Sequence, residues 1–280
     1  GVHASFTMTD EELRQCSLAV NSINQLSPDD TDGRVPPIGF HVHVGEAPSD
    51  SRATRRLYEA GLLGNGTLVA HAVFTSEEDI RLLESQGCMV VVVNVQSNMN
   101  NGLQLPDLRR FCRLGQRNAL ANQREYGTAI LGVGTDGITY DMLEELRALY
   151  FTARLRQGDP DALSGERGWV QMMRKDNAAI ASRMISASVG RWVQVGALAP
   201  GYKADVTVFE YPNPTPLTVD NLPYHLVFGG VGPAMLRHTI VGGTYVCRDG
   251  QLVNVSADSI ARSASACAEK VWQRAAEIHD

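Results

Sequence analysis

The sequence has few of the features that mark membrane, nucleic-acid-binding or disordered proteins. Its most apolar run, residues 89–93, is far shorter than the ~20 residues of a membrane-spanning helix. Lysine and arginine never occur more than two in a row, and the net charge is −6. We therefore expect neither a membrane nor a nucleic acid as a partner. With 44% hydrophobic and 20% charged residues, the 280-residue chain has the composition of a globular protein.

Cysteine is scarce, and several well-known catalytic motifs are missing. The five cysteines form no Cys-x-x-Cys pair, and their odd number is typical of reduced thiols, so we expect a cytoplasmic protein. The sequence contains no Gly-x-Ser-x-Gly and no Walker A motif. These absences argue against an α/β-hydrolase nucleophile elbow and a P-loop.

What is present is a regular alternation of strand-like and helix-like segments over the first 155 or so residues. A short β-like run at residues 2–7 is followed by predicted strands at 38–44, 67–73, 89–95 and 129–133, with helical patterns between them. This alternation is typical of an α/β fold in which crossover helices connect the strands of a parallel sheet.

The pattern changes towards the C-terminus. A glycine- and proline-containing turn at 196–201 leads into short predicted strands at 204–209, 226–228 and 239–247. An amphipathic helix is predicted at 257–278. We therefore predict two domains, an α/β body over residues 1–190 and a β-rich module with a closing helix over residues 191–280.

Four polar residues lie at or just after the carboxyl ends of predicted strands, where parallel α/β sheets carry their catalytic and binding groups. His43 and Glu46 end the second predicted strand, His71 lies near the end of the third, and Asp136 follows the last. Ligands and catalytic groups gather at the carboxyl ends of such strands. Imidazole and carboxylate suit zinc or iron, and a carboxyl group that does not bind the ion can carry a proton. The set predicts metal-assisted hydrolysis.

Each of these residues also has a structural interpretation. The His-x-His pattern at His41 and His43 occurs in strands without a metal, and His71 alone fits a buried structural histidine. Asp136 lies in a Gly-Thr-Asp-Gly sequence that also fits a simple turn. The remaining C-terminal histidines are interpreted as structural or surface residues: His225, His238 and His279.

Taken together, several segments resemble the amidohydrolase superfamily, in particular the aminohydrolase branch that includes chlorohydrolases and cytosine and guanine deaminases. The matching segments are His41-Val-His-Val-Gly-Glu46, Leu68-Val-Ala-His-Ala-Val73, Asn94-Val-Gln-Ser-Asn-Met99 and Leu131-Gly-Val-Gly-Thr-Asp-Gly137, with residues 196–205 and 240–243 resembling the family's C-terminal β-module. The opening Gly1-Val-His-Ala-Ser-Phe-Thr7 resembles the SsnA-type aminohydrolases. The resemblance covers nearly the whole chain.

The resemblance implies a partial metal-dependent (β/α)8 TIM barrel, strands four to eight, followed by the C-terminal part of a small β-sandwich module. The family's His-x-His pair on barrel strand one is not matched, because Glu46 follows His43 at the spacing found after strand five. We therefore expect this chain to be the C-terminal portion of a longer enzyme and to be inactive alone.

The resemblance also implies a role for each candidate residue. His43 and Asp136 are metal ligands, and Asp136 also takes the proton of the attacking water. His71 binds the metal, or contacts the water or the substrate. Glu46 is the acid/base that protonates a ring nitrogen of the substrate.

His3 and Asn98 are implied to contact the substrate. The expected cofactor is one divalent metal ion, zinc rather than iron, and the expected reaction is hydrolytic deamination of a small aminated heterocycle. Many family members are dimers or larger, so a homo-oligomer is expected. Two alternatives stay open: a dehalogenating or ring-opening amidohydrolase, and a non-catalytic binding protein derived from the barrel. A tightly bound metal ion distinguishes the enzyme from the binding protein.

Overall fold

A computed structural model describes residues 1–26, 35–87, 90–111, 131–162 and 175–279. The chain forms two compact units, one of residues 1–203 with 213–232, the other of residues 204–212 with 233–280. Three positions at the starts of predicted strands, 89, 129 and 130, lie outside the described residues. The two domains predicted from the sequence, 1–190 and 191–280, stay a prediction.

The first unit is built on a parallel sheet in which four strands follow one another in chain order. The strands are β1 (His41–Val44), β2 (Leu68–His71), β3 (Val90–Val93) and β4 (Leu131–Val133). The start of the chain runs parallel to the free side of β1, through a bridge between Ala4 and His43. This arrangement confirms the predicted α/β class and the predicted order of the strands.

The strands are short, and most of their side chains are buried. All four residues of β2 are buried, and β3 consists of four valines, whose branched side chains favour a strand packed on both faces. Val44 pairs with His71, so that β1 and β2 end at the same level. The carboxyl ends of neighbouring strands therefore form one edge of the sheet.

Helices connect and cover the strands. They are α1 (Asp10–Leu26), α2 (Ala53–Glu59), α3 (Glu77–Ser85), α4 (Val95–Asn100), α5 (Met142–Gln157), α6 (Asn177–Val189) and α7 (Leu222–Phe228). The core contains completely buried residues from helices and strands, including Leu57, Val69, Val93 and Leu149. Burying such apolar side chains is the main force that holds helices onto a sheet.

One predicted strand, at residues 226–228, is wrong, because these residues belong to the helix α7. Pro223 lies in the first turn of α7, where its missing N–H does no harm, and Val227 is buried. A run of only three apolar residues does not distinguish a strand from a buried turn of helix.

The second unit is an antiparallel sheet with a long helix after it. Its strands are β5 (Val206–Phe209), β6 (Leu236–Val241), β7 (Thr244–Arg248) and β8 (Gln251–Leu252), and its helix is α8 (Ala257–His279). Gly242 and Gly243 have φ of +58° and +84°, as the tight turn between β6 and β7 requires. The predicted β-rich character of this part of the chain is confirmed. Of the helices in the described residues, none is both long and apolar enough to cross a membrane.

Candidate metal centre and active site

Four polar side chains predicted from the sequence converge at the carboxyl edge of the parallel sheet. The Nε2 atom of His71 lies 3.8 Å from Oε2 of Glu46 and 3.7 Å from Oδ2 of Asp136. The rings of His43 and His71 meet edge to face, with centroids 5.2 Å apart. The strands therefore bring together residues up to 93 positions apart in the sequence (43 to 136).

Three of these side chains form a group that could hold a metal ion. One potential ligand atom from each of His43, Glu46 and His71 lies within 4.8 Å of the other two. The set implied by the resemblance has Asp136 in place of Glu46, and the assignment of individual ligands stays a prediction. Both sets combine imidazole with carboxylate, which is the donor chemistry of catalytic zinc sites.

His43 has a buried nitrogen that is available for a ligand. Its Nδ1 atom has no hydrogen-bond partner among the described residues. Burial lowers the pKa of His43, and the nearby His71 lowers it further, while Glu46 opposes the shift. A neutral imidazole with an unpaired buried nitrogen fits a divalent cation, because leaving that nitrogen unpaired is costly.

His71 is held by two asparagines. Its Nδ1 lies 3.0 Å from Oδ1 of Asn98, while the amide nitrogen of Asn98 donates to the Gln104 carbonyl at 3.5 Å. The Asn98 oxygen can only accept, so Nδ1 of His71 carries the proton and Nε2 carries the lone pair. Asn94 lies 3.4 Å from that Nε2. A partner that holds the proton on one ring nitrogen, and so leaves a lone pair on the other, is the usual arrangement around a metal-binding histidine.

Asp136 lies in a tight turn after β4. Its Oδ1 accepts a hydrogen bond from the Gly137 backbone N–H at 2.6 Å. Burial acts to raise the pKa of Asp136, but hydrogen bonds from Ser97 and Gly137 and the nearby His71 outweigh it, so the pKa is lowered. Asp136 is therefore ionised at neutral pH, as a cation ligand or a proton acceptor must be.

The backbone is strained at this edge. Three residues that are not glycine have positive φ: His71 at +68°, Ala72 at +52° and Asp136 at +51°. Such conformations are unfavourable for L-residues and cluster at functional sites, where surrounding structure enforces them. Here they turn the chain sharply where two of the candidate residues lie.

The turn that carries Glu46 is fixed by a buried carboxylate. Asp50 accepts hydrogen bonds from the Gly45 N–H at 2.9 Å and from the Ser5 hydroxyl at 2.7 Å. Gly45 has φ +57°, and a Cβ there would lie 3.1 Å from the Phe74 carbonyl oxygen. Asp50 therefore ties the loop after the first segment of the chain to the loop after β1.

The two predicted substrate contacts lie beside this centre. The exposed His3 has its ring centroid 5.1 Å from that of His43. Asn98 is 1% exposed, and its side-chain oxygen faces His71. Their contact with a substrate stays a prediction.

Sequence reasoning did not single out every residue of the site. Asn94 and Ser97 lie within the segment that resembles the family, but the resemblance implies no role for them. No sequence motif marks Asp50 or Glu145, because each forms hydrogen bonds with a segment about 50 positions away. Asp50 bonds to Ser5, and Glu145 bonds to Val95.

Comparison with known proteins gives a consistent result. The chain is 26% identical over 284 aligned residues to the 5-methylthioadenosine/S-adenosylhomocysteine deaminase of Desulforudis audaxviator, covering 97% of this chain and 57% of that protein. It is 24% identical to the 5'-deoxyadenosine deaminase of Methanopyrus kandleri, with the same coverage. The chain thus spans about half the length of the curated relatives it matches.

Solved structures show the same fold. An adenosine deaminase from Xanthomonas campestris with bound zinc matches with a TM-score of 0.72 at 17% identity, over 97% of this chain and 56% of that one. Atrazine chlorohydrolase TrzN from Arthrobacter aurescens, complexed with zinc, matches with a TM-score of 0.66 at 17% identity, over 92% and 52%. These matches confirm the predicted fold class.

The profile of the amidohydrolase family matches residues 1–246, which is most of the chain. This match agrees with the sequence motifs, the order of the parallel strands and the convergence of imidazole and carboxylate groups at their carboxyl ends. The chain belongs to the amidohydrolase family.

Proposed function

We propose that this chain carries the catalytic residues of a metal-dependent hydrolase of non-peptide C–N bonds, which deaminates a heterocyclic amine. The observation that carries the proposal is the convergence of two imidazoles and two carboxylates at one edge of the sheet. The deaminase names of the relatives support the reaction class.

One divalent ion, zinc rather than iron, is the proposed cofactor. Its proposed ligands are His43, His71 and Asp136, which offer nitrogen and carboxylate donors. When bound, such an ion lowers the pKa of a water molecule to ~7 and so supplies hydroxide at neutral pH. The neutral imidazole of His43 and the Nε2 lone pair of His71 suit this role.

Each of the two carboxylates, Asp136 and Glu46, is proposed to carry out one of the proton transfers. Asp136 is ionised and accepts the proton of the attacking water. Glu46, whose side chain is 27% exposed, lies beside Nε2 of His71 and can reach a substrate that enters from solvent. We assign Glu46 as the acid that protonates a ring nitrogen, which makes the ring carbon more electrophilic and helps ammonia to leave. Glu46 also lies within reach of the proposed ion, so its role must be tested directly.

The proposed substrate is a small aminated heterocycle, and an adenine-type nucleoside is the first choice because of the names of the relatives. His3 and Asn98 are the proposed contacts to it. A homo-oligomer remains part of the proposal, without a residue assigned to its interface.

The test uses the native protein that contains this chain, its Glu46→Gln variant and a Glu59→Gln control. Glu59 is an exposed residue of α2 that pairs with Arg55. We expect native protein and control to release ammonia from aminated purine nucleosides with one bound metal ion. We expect Glu46→Gln to keep the metal and to lose ~10²–10⁴-fold in turnover.

Three results would overturn parts of this assignment. Loss of metal in Glu46→Gln makes Glu46 a ligand instead of an acid. Release of chloride from chlorinated triazines without deamination favours a dehalogenating hydrolase. A native protein that binds no metal and turns over no substrate is a binding protein.

A further inference from the structure

Glu145 is a completely buried carboxyl group that lies outside the catalytic centre. It belongs to α5 and is 0% exposed. Among the described residues no cation forms a salt bridge with it. Burying a carboxyl group without a cation is unfavourable, and an apolar side chain would usually fill such a position at less cost.

The hydrogen-bond partners of Glu145 are backbone N–H groups at the start of α4. Oε1 accepts from the N–H of Val95 and from that of Gln96, the latter at 3.3 Å. These are the first two residues of α4, and N–H groups at a helix start have no partner within the helix. Glu145 therefore caps α4 from a different helix.

Because Glu145 accepts the hydrogen bonds of the first N–H groups of α4, the Asn94 side chain is not needed to accept them. Asn94 is the residue before α4, where an asparagine side chain normally bonds to N–H groups of its own helix. Here it makes no such bond, and its amide nitrogen instead lies 3.4 Å from Nε2 of His71. Because Glu145 satisfies the helix, Asn94 can face the catalytic histidine.

The helix α4 carries two more groups of the centre. The side-chain oxygen of Asn98 lies 3.0 Å from Nδ1 of His71, and Ser97 lies close enough to Asp136 to lower the pKa of that carboxyl group. The helix has only six residues, and a helix this short is not stable without contacts from outside. The orientation of three polar side chains towards His71 and Asp136 thus depends on how the first turn of α4 is held.

We propose that Glu145 is a positioning residue. By binding the first turn of α4 it fixes the orientation of the Asn94, Ser97 and Asn98 side chains, and these side chains hold His71 in the tautomer with its proton on Nδ1. The proposal rests on the proposed function only in giving His71 a catalytic task. The position of Glu145 against the helix, and the effect of that position on His71, stand independently of which reaction takes place.

The test is the side-chain ¹⁵N spectrum of the histidines in the metal-free native protein that contains this chain, because the shifts of Nδ1 and Nε2 report the tautomer. A His71→Gln variant assigns the signal. We expect Glu145→Gln to move the His71 signals towards a mixture of tautomers, and Glu144→Gln to leave them unchanged. Glu144 is the adjacent residue of α5 and is exposed, so it is a matched control.

A double-mutant cycle separates positioning from a general loss of stability. If Glu145 acts through Asn98, then Glu145→Gln should add little to the change at His71 in an Asn98→Ala background. Zinc affinity, measured by competition with a chelator in the native protein, should fall about tenfold in Glu145→Gln. This is the lower end of the loss in metal affinity that follows when a residue that orients a metal ligand is replaced.

Unchanged His71 signals in a folded Glu145→Gln variant would overturn the proposal, as would fully additive effects in the cycle. Circular dichroism melting checks folding. If Glu145→Gln does not fold, Glu145→Asp is tested instead, because the aspartate side chain is one methylene shorter and its carboxylate does not reach the N–H groups of α4. A folded Glu145→Asp variant with unchanged His71 signals overturns the proposal. Failure of both variants to fold also overturns it. A native protein without metal or deaminase activity would refute the proposed function, while the His71 signals would still decide on Glu145.

Discussion

The Nδ1 atom of His71 lies 3.0 Å from the side-chain oxygen of Asn98, and both side chains are almost completely buried. This contact determines which nitrogen of His71 faces the two carboxylates at the carboxyl edge of the sheet. Because the Asn98 oxygen cannot donate a proton, the Nε2 lone pair points towards the place where a metal ion or a water molecule is needed.

Replacing Asn98 by alanine should weaken this arrangement. The Nδ1–H of His71 loses its acceptor in a buried place, which costs about 1–3 kcal/mol. We expect zinc affinity in the native protein to fall ~10–100-fold, measured by competition with a chelator. The control is Asn100→Ala, an exposed position of the same helix, and an equal loss in that variant would show that the effect is not due to His71.

The buried carboxylate of Asp50 should contribute strongly to stability. It accepts hydrogen bonds from Ser5 and Gly45, and an asparagine side chain in its place would turn an NH₂ group towards one of those donors. We expect Asp50→Asn to lower the free energy of unfolding by about 1.5–3 kcal/mol in urea titrations. Glu59→Gln, in an exposed ion pair, should cause no measurable change. Wild-type stability of Asp50→Asn would mean that this carboxylate does not hold the Glu46 turn.

Gly45 should not tolerate a side chain. Its φ of +57° is unfavourable for alanine by about 1–2 kcal/mol, and a Cβ there would lie 3.1 Å from the Phe74 carbonyl oxygen. We expect Gly45→Ala to destabilise the chain and to reduce turnover of the native protein by displacing Glu46. Gly64→Ala is the control, since Gly64 has no atom within 4 Å of the added Cβ and its φ is not positive. Equal melting temperatures for the two variants would contradict this account of the turn.

Stability should depend on pH through Glu145. Burial raises the pKa of this carboxyl group above 4.5, although the Val95 and Gln96 N–H groups oppose the shift. The folded state then binds the proton more tightly than the unfolded state, so the stability due to Glu145 is present at low pH. It is lost as pH rises from about 4.5 through the raised pKa. In urea titrations across this range, wild type should therefore lose stability relative to Glu145→Gln, and a parallel pH dependence of the two proteins would refute the raised pKa.

The sequence was sufficient to predict the parallel sheet and four residues of the centre. Hydrophobic runs of the right length mark buried strands, and polar residues just after those runs meet because parallel strands end at a common edge. His43, Glu46, His71 and Asp136 could be recognised by this rule alone.

The supporting residues could not be predicted in this way. Glu145 bonds to a backbone 50 positions away and Asp50 to a hydroxyl 45 positions away, and neither pattern leaves a local signal. The error at residues 226–228 has a related cause, because a short apolar run becomes strand or helix according to what it packs against.

The most direct test of the central claim is zinc K-edge X-ray absorption on the native protein and its His43→Ala variant. The account predicts a zinc ion bound by imidazole nitrogens and carboxylate oxygens at ~2.0–2.2 Å, with one nitrogen fewer in the variant. A zinc ion bound by cysteine sulfur at ~2.3 Å, or the same nitrogen count in both proteins, would contradict the metal centre described above.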